Sequence, residues 1–109
     1  MFGNKMNAIE KAIKKKNVGP LIELAGNKDE SLSMAAIDGM AAIGGMDASN
    51  YLVTRLHDED PKVRVAVANA LGKIADVHTK AFLFAQMNKE TDPKVKAAIG
   101  EAMALIKDY

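Results

Sequence analysis

The stretch DPKVRVAVANALGKIAD, residues 60–76, contains the clearest structural signal in this 109-residue chain. Its opening DPKV recurs at residues 92–95, and DESL at residues 29–32 is a looser copy. The copies lie 31 and 32 residues apart, a period that indicates a repeat protein. The chain is therefore predicted to consist of tandem repeats. The match continues downstream in three apolar columns: Ala35, Ala66 and Ala98; Met40, Leu71 and Met103; Ile43, Ile74 and Ile106.

Each repeat is predicted to form two helices. From Val63 to Ile74, apolar residues follow the i, i+3, i+4, i+7 spacing of an amphipathic helix. Asp60 suits the N-cap because its carboxylate can accept a free backbone N–H, and Pro61 suits the first helical position. A second apolar block, which includes Leu21, Leu52 and Leu83, predicts the second helix. The fold class is all-α, with helices predicted at residues 4–16, 18–27, 30–44, 47–58, 61–75, 77–89 and 93–107.

The residues at 60–76 resemble a HEAT repeat, of the short type found in phycobilisome-lyase-like proteins. The Asp-Pro-x-Val-Arg start and the Ala-Leu-Gly-x-Ile run carry this resemblance. It implies an α-solenoid, a HEAT/armadillo-like superhelix of about three and a half helical-hairpin repeats. The first (A) helices would lie outside and the second (B) helices would line a concave face. The implied single domain, residues 1–109, divides into a degenerate N-terminal capping repeat at 4–28, repeats at 29–59 and 60–91, and a half repeat at 92–109.

The composition excludes several classes of protein. The chain has no cysteine, which excludes disulfide frameworks, zinc fingers and thiol catalysis. No apolar run approaches the roughly 20 residues that a membrane-spanning helix needs. Residues 1–5 lack a charged-then-apolar secretion signal, so we expect a cytoplasmic protein. The net charge of +1 does not indicate a general nucleic-acid binder.

No motif predicts an enzyme, a cofactor or a metal site. His57 and His78 lack the i, i+4 pairing of metal ligands and are expected at the surface. Deoxyhypusine hydroxylases, which resemble this fold, hold iron with repeated His-Glu pairs, whereas this chain has a single His57-Asp58 pair. The run Asp58-Glu59-Asp60 is interpreted as a solvated loop that contains a helix cap. The run Lys14-Lys15-Lys16 is interpreted as cations at a helix C-terminus.

Charge is distributed in three zones along the chain. Residues 1–28 carry a net charge of +4, residues 29–60 of −6 and residues 61–109 of +3. These zones would stay separate on an elongated protein. An acidic middle between basic ends would then steer a partner of mixed charge.

The B-helix surface is the best candidate binding site. If Leu52 and Leu56 pack inward, a helical wheel places the opposite side of that helix toward solvent. Tyrosine and arginine are favoured at protein interfaces because they combine apolar area with polar ends, although Tyr51 and Phe82 could instead seal adjacent repeats. The predicted function is a non-catalytic protein-binding scaffold or adaptor that uses the concave B-helix face. The candidate row is Asn50, Thr54 and His57, flanked by Tyr51, Arg55, Phe82 and Gln86.

Three alternatives remain open. The resemblance to lyase-type repeats suggests an accessory subunit in cofactor or pigment attachment. Some DNA glycosylases resemble this architecture, so a weak nucleic-acid-binding module is another alternative, although the central repeat is acidic. The third is a structural homo-oligomer formed through helix 93–107, whose wide apolar arc could leave an exposed patch. That arc contains Val95, Ile99, Ala102, Met103, Leu105 and Ile106.

Overall fold

The repeated start motif marks the beginning of a long helix in each of three repeats. The structure is a computed structural model that describes residues 2–107, so residues 1, 108 and 109 of the predicted domain lie outside the described residues. A short 3-10 turn, Val77–Thr79, leads into the sixth helix. The helices of the described part are α1 (Phe2–Lys15), α2 (Gly19–Ala25), α3 (Glu30–Ile43), α4 (Met46–Thr54), α5 (Pro61–Ile74), α6 (Lys80–Lys89) and α7 (Pro93–Leu105).

Aspartate side chains begin α3, α5 and α7 as the motif predicts. The Oδ1 atoms of Asp29, Asp60 and Asp92 accept backbone N–H groups two residues downstream, at 2.9, 2.9 and 2.8 Å. Proline occupies the first turn of α5 and of α7, where its missing N–H costs no helical hydrogen bond. The local chemistry of the motif therefore fixes where these helices begin.

The helices stack in layers along the chain. The odd-numbered helices pack in sequence, α1 on α3, α3 on α5 and α5 on α7. Each even-numbered helix packs against the odd-numbered helix that follows it. The resulting body measures 39 × 29 × 17 Å along its principal axes. This layered, all-helical arrangement confirms the predicted α-solenoid.

The core lies between the odd-numbered and even-numbered helices. Leu21, Leu52 and Leu83, the repeated residues of the second apolar block, are fully buried, as are Met40 and Leu71 of the odd-numbered helices. The same position of the second helix thus contributes a buried leucine in each of three repeats, so the core continues through the stack.

The largest difference from the predicted helix boundaries is at the end of α4. The sequence predicts a helix to residue 58, but α4 ends at Thr54. The amide groups of Arg55 and Leu56 bond to the carbonyls of Leu52 and Val53, three residues back, which tightens the chain into a turn. The turn is then held by Asp58, whose carboxylate accepts the backbone N–H of Asp60 at 2.9 Å.

Candidate protein-binding surfaces

The predicted row lies on α4, on the turn after it and on α6. Asn50, Thr54 and His57 are exposed, as the helical wheel predicts. Phe82 is 50% exposed, and Tyr51 is half-buried against the core. Gln86 differs from the expectation of a flanking surface residue, because only 7% of it is exposed.

Arg55 connects two repeats. Its guanidinium donates to the backbone carbonyl of Ala25, at the end of α2, at 3.0 Å. It also donates to the Tyr51 hydroxyl at 2.7 Å and to the Asp58 carboxylate at 2.9 Å. The hydroxyl of Ser33 donates to the same Ala25 carbonyl at 2.6 Å. Arg55 is therefore engaged in holding α4 against the preceding repeat.

Arg64 connects its repeat to the preceding one and also forms an ion pair within its own repeat. Arg64 on α5 bonds both carboxylate oxygens of Glu90, each at 2.9 Å, and donates to the carbonyls of Asp58 and Glu59. The Glu90 side chain is only 2% exposed and also accepts from Gln86 Nε2 at 3.2 Å. The hydrogen bond from Arg64 lowers the pKa of Glu90 from its ordinary 4.5 to about 2. The pair joins α5 to the end of α6.

The Arg64–Glu90 pair does not follow from the sequence pattern alone. The available signal was the alignment of Ser33, Arg64 and Lys96 in one polar column. The Ser33 hydroxyl donates to the carbonyl at the end of α2, and Arg64 donates to carbonyls in the turn before α5. The column therefore marks a position that joins repeats.

The two histidines bond to neighbouring polar side chains. His57 Nδ1 lies 2.9 Å from Gln86 Oε1. His78 contacts Asp76 at 2.6 Å and Asn50 at 3.1 Å, and its hydrogen bond lowers the pKa of the Asp76 carboxyl. Within residues 2–107, no group of three histidine, aspartate or glutamate side chains is placed to hold a metal ion.

The charged runs have structural roles. Asp58 and Asp60 form the turn and the cap before α5, and Asp58 is half-buried, so this run is not the fully solvated loop that the sequence suggests. Lys14 and Lys15 lie in the last turn of α1 and are exposed, as expected. Lys16 follows with φ of 54°.

The predicted apolar arc of α7 is mostly internal. Val95, Ile99, Ala102 and Ile106 are buried, and Met103 is half-buried. Leu105 alone of the arc is well exposed, at 57%. The patch that the arc leaves on the surface is therefore small and lies at the end of α7.

A groove of about 690 Å³ crosses α3, α5 and α7 on the side opposite the even-numbered helices. Met34, Val65 and Leu105 supply apolar side chains to it. One aligned polar column, Asp38, Asn69 and Glu101, also lines it. The alignment of this column was the sequence signal for the groove, and apolar surface with a few polar groups is typical of binding sites.

Comparison with known proteins identifies one family. A family model described as HEAT repeats matches residues 18–104, which is most of the chain. A search of curated proteins finds no match. Among the described residues, no helix is long and apolar enough to cross a bilayer.

Proposed function

The chain belongs to the HEAT-repeat family, and from this premise we propose that it is a non-catalytic protein-binding scaffold. HEAT repeats commonly serve as protein-interaction scaffolds, and the family is typically non-catalytic. The proposed docking site is the even-helix surface, which consists of Asn50, Thr54, His57 and Phe82.

The observation that carries this proposal is the exposure of Phe82 beside α4. Phe82 lies one helical turn before Gln86 on α6, and Gln86 contacts His57 of the preceding repeat. Phe82 therefore faces the same side as the exposed residues of α4. An aromatic side chain that is half exposed next to polar groups offers a partner the apolar anchor that interfaces favour.

The even-helix surface is already ordered in the protein without a partner. Arg55 joins α4 to the preceding repeat through a bond of 3.0 Å, and the Arg64–Glu90 pair joins α5 to the end of α6 through two bonds of 2.9 Å. Because the backbone beneath the surface is already ordered, binding loses little conformational entropy. Tyr51, Arg55 and Gln86 support the site from beneath in this proposal.

The test compares two exposed phenylalanines of the same helix. Phe82→Ala removes the proposed anchor, whereas Phe84→Ala removes a side chain that is 57% exposed on the other flank of α6. A partner captured from native lysate and purified should bind the Phe82 variant at least about tenfold more weakly, measured by calorimetry. Its affinity for the Phe84 variant should stay unchanged.

Equal effects of the two substitutions would contradict the proposed site. A partner whose affinity fell with Leu105→Ala and not with Phe82→Ala would place the interface in the groove of the odd-numbered helices. Arg55 is unsuitable for this comparison, since its removal also breaks the bond to Ala25.

A further inference from the structure

A chain of side-chain hydrogen bonds leads from the buried carboxylate of Glu90 to the exposed residue His57. Glu90 Oε1 accepts from Gln86 Nε2 at 3.2 Å, and Gln86 Oε1 lies 2.9 Å from His57 Nδ1. Gln86 lies between the other two and is itself buried. We call these three residues the His57 network. The network connects the protein interior with one residue of the even-helix surface.

Glu90 acts only as an acceptor in this network. Arg64 donates to both of its carboxylate oxygens at 2.9 Å. The backbone N–H groups of Thr91 and Asp92 donate to Oε2 at 3.2 and 3.1 Å. Guanidinium and backbone N–H groups donate and never accept, and the pKa of about 2 keeps the Glu90 carboxyl ionised at neutral pH. The hydrogen bond between Glu90 and Gln86 must therefore be donated by Gln86.

This requirement fixes the direction of the Gln86 amide. Its NH2 group faces the Glu90 carboxylate, so its carbonyl oxygen faces His57. An amide oxygen has no proton to donate, so His57 Nδ1 must supply the proton of the second hydrogen bond. Because a neutral imidazole carries a single N–H group, Nε2 of the neutral ring keeps a free lone pair.

Nε2 is the atom that His57 offers to a partner. The two ring nitrogens point in different directions, so Nε2 points away from Gln86, and His57 is exposed. No described residue bonds to this nitrogen. Both ring nitrogens of His78, in contrast, are engaged, with Asp76 and Asn50. Neutral His57 thus presents a hydrogen-bond acceptor at the even-helix surface.

The charged groups around His57 leave a positive charge on its ring without a partner. Arg64, Lys89 and Glu90 line a hollow of about 240 Å³ together with His57. Glu90 is paired with Arg64, and Asp58, the next residue along the chain, has an ion pair of its own. Lys89 forms no ion pair with a described residue. Protonation of His57 would therefore add a second cation to this hollow and turn Nε2 from an acceptor into a donor.

We propose that His57 determines which partner the even-helix surface binds, because the partner must place an N–H or O–H donor at Nε2. This inference rests on the proposed function, since His57 belongs to the docking site proposed there. It adds the chemistry of one contact and a pH dependence. Histidine ordinarily changes charge between pH 5 and 8, so binding should weaken as the pH falls through that range.

The position of the ring proton can be measured without a partner. A two-bond proton–nitrogen correlation spectrum of the full isotope-labelled chain at about pH 8 should show His57 protonated on Nδ1 and bare at Nε2. Gln86→Met keeps the length of the side chain and removes the acceptor, so it should abolish this preference. A wild-type ring that carries its proton on Nε2 would overturn the proposal, whether or not the variant folds.

The partner purified for the Phe82 comparison tests the contact itself. Its affinity for the wild type should be about fivefold lower at about pH 5.5 than at about pH 7.5. His57→Leu should bind about fivefold more weakly at the higher pH and lose the pH dependence. His78→Leu is the matched control and should keep it. An affinity that does not change with pH, or that changes equally in the His57 variant, would overturn the proposal.

The inference and the proposed function fail in distinguishable ways. If Phe82→Ala weakens binding and acid does not, the docking site stands and the assignment of His57 is wrong. If Phe82→Ala leaves the affinity unchanged, the docking site is wrong, and the role of His57 in binding is wrong with it.

Discussion

At the scale of single residues, the Arg64–Glu90 pair is a largely buried ion pair between α5 and the end of α6. Both of its hydrogen bonds are short, and both side chains are largely removed from solvent, with exposures of 16% and 2%. Removing one partner of such a pair leaves a poorly solvated charge behind, which costs more than the pair itself contributes. Substitution of either residue should therefore destabilise the fold.

The pair makes stability depend on pH in a predictable direction. Because folding lowers the pKa of Glu90 from 4.5 to about 2, its contribution is complete above the unfolded value and is lost as pH falls toward about 2. Glu90→Gln should lower the free energy of unfolding at pH 7 by about 2 kcal/mol. Urea denaturation should also show a weaker decline of stability below pH 4.5 for the variant than for the wild type.

A matched control is Asp76→Asn, which alters a carboxylate bonded to the exposed His78. Its effect on the decline of stability at low pH should be smaller than that of Glu90→Gln, since this pair is more exposed than the Arg64–Glu90 pair. If the free energy of unfolding fell equally with pH in the wild type and in Glu90→Gln, protonation of Glu90 would not be linked to folding.

Residues whose function is local could be predicted, and those with distant partners could not. The caps at Asp60 and Asp92 follow from the chemistry of the first helical turn, and the sequence predicts both. Arg55 bonds to a carbonyl 30 residues away, and His57 contacts Gln86 29 residues away. Such contacts depend on how consecutive layers are rotated, which helical periodicity does not specify.

At the scale of helices, close packing of α5 on α7 depends on Gly72. A methyl group there would meet backbone, since Ala102 Cα would lie 2.9 Å from it. Gly72→Ala should therefore force the two helices apart and lower the free energy of unfolding by about 1–3 kcal/mol. Denaturant titration of the purified variant measures this loss.

Gly100→Ala is the matched control for this prediction. Its methyl group would have only Met87 Cε nearby, at 3.7 Å, which is an ordinary contact. Alanine is the better helix former, so this variant should gain about 0.5–1 kcal/mol. A Gly72 variant as stable as the Gly100 variant would refute the close approach of α5 and α7.

The number and order of the helices could be predicted because each repeat contains the same apolar periodicity. The end of α4 was the least predictable boundary, because residues 55–58 keep a polar, helix-compatible composition. Their turn is set by three-residue hydrogen bonds and by the Asp58 carboxylate. Tertiary contacts of Arg55 and Asp58 thus override the local preference there.

At the scale of the whole molecule, the layered order keeps regions of different charge apart. The acidic segment 29–60 contains α3 and α4, and these helices lie between the basic layers that precede and follow them in the chain.

The distance between the first and last odd-numbered helices tests the layered stack most directly. The chain has no cysteine, so Asn7→Cys and Glu101→Cys, both at exposed positions of α1 and α7, allow clean double spin-labelling. Three helix-to-helix spacings of about 8–10 Å separate these sites, so double electron–electron resonance spectroscopy should give a distance of about 24–30 Å between the labels. A dominant distance under about 15 Å, a single spacing plus the label, would show α1 beside α7 in a closed bundle and contradict the solenoid.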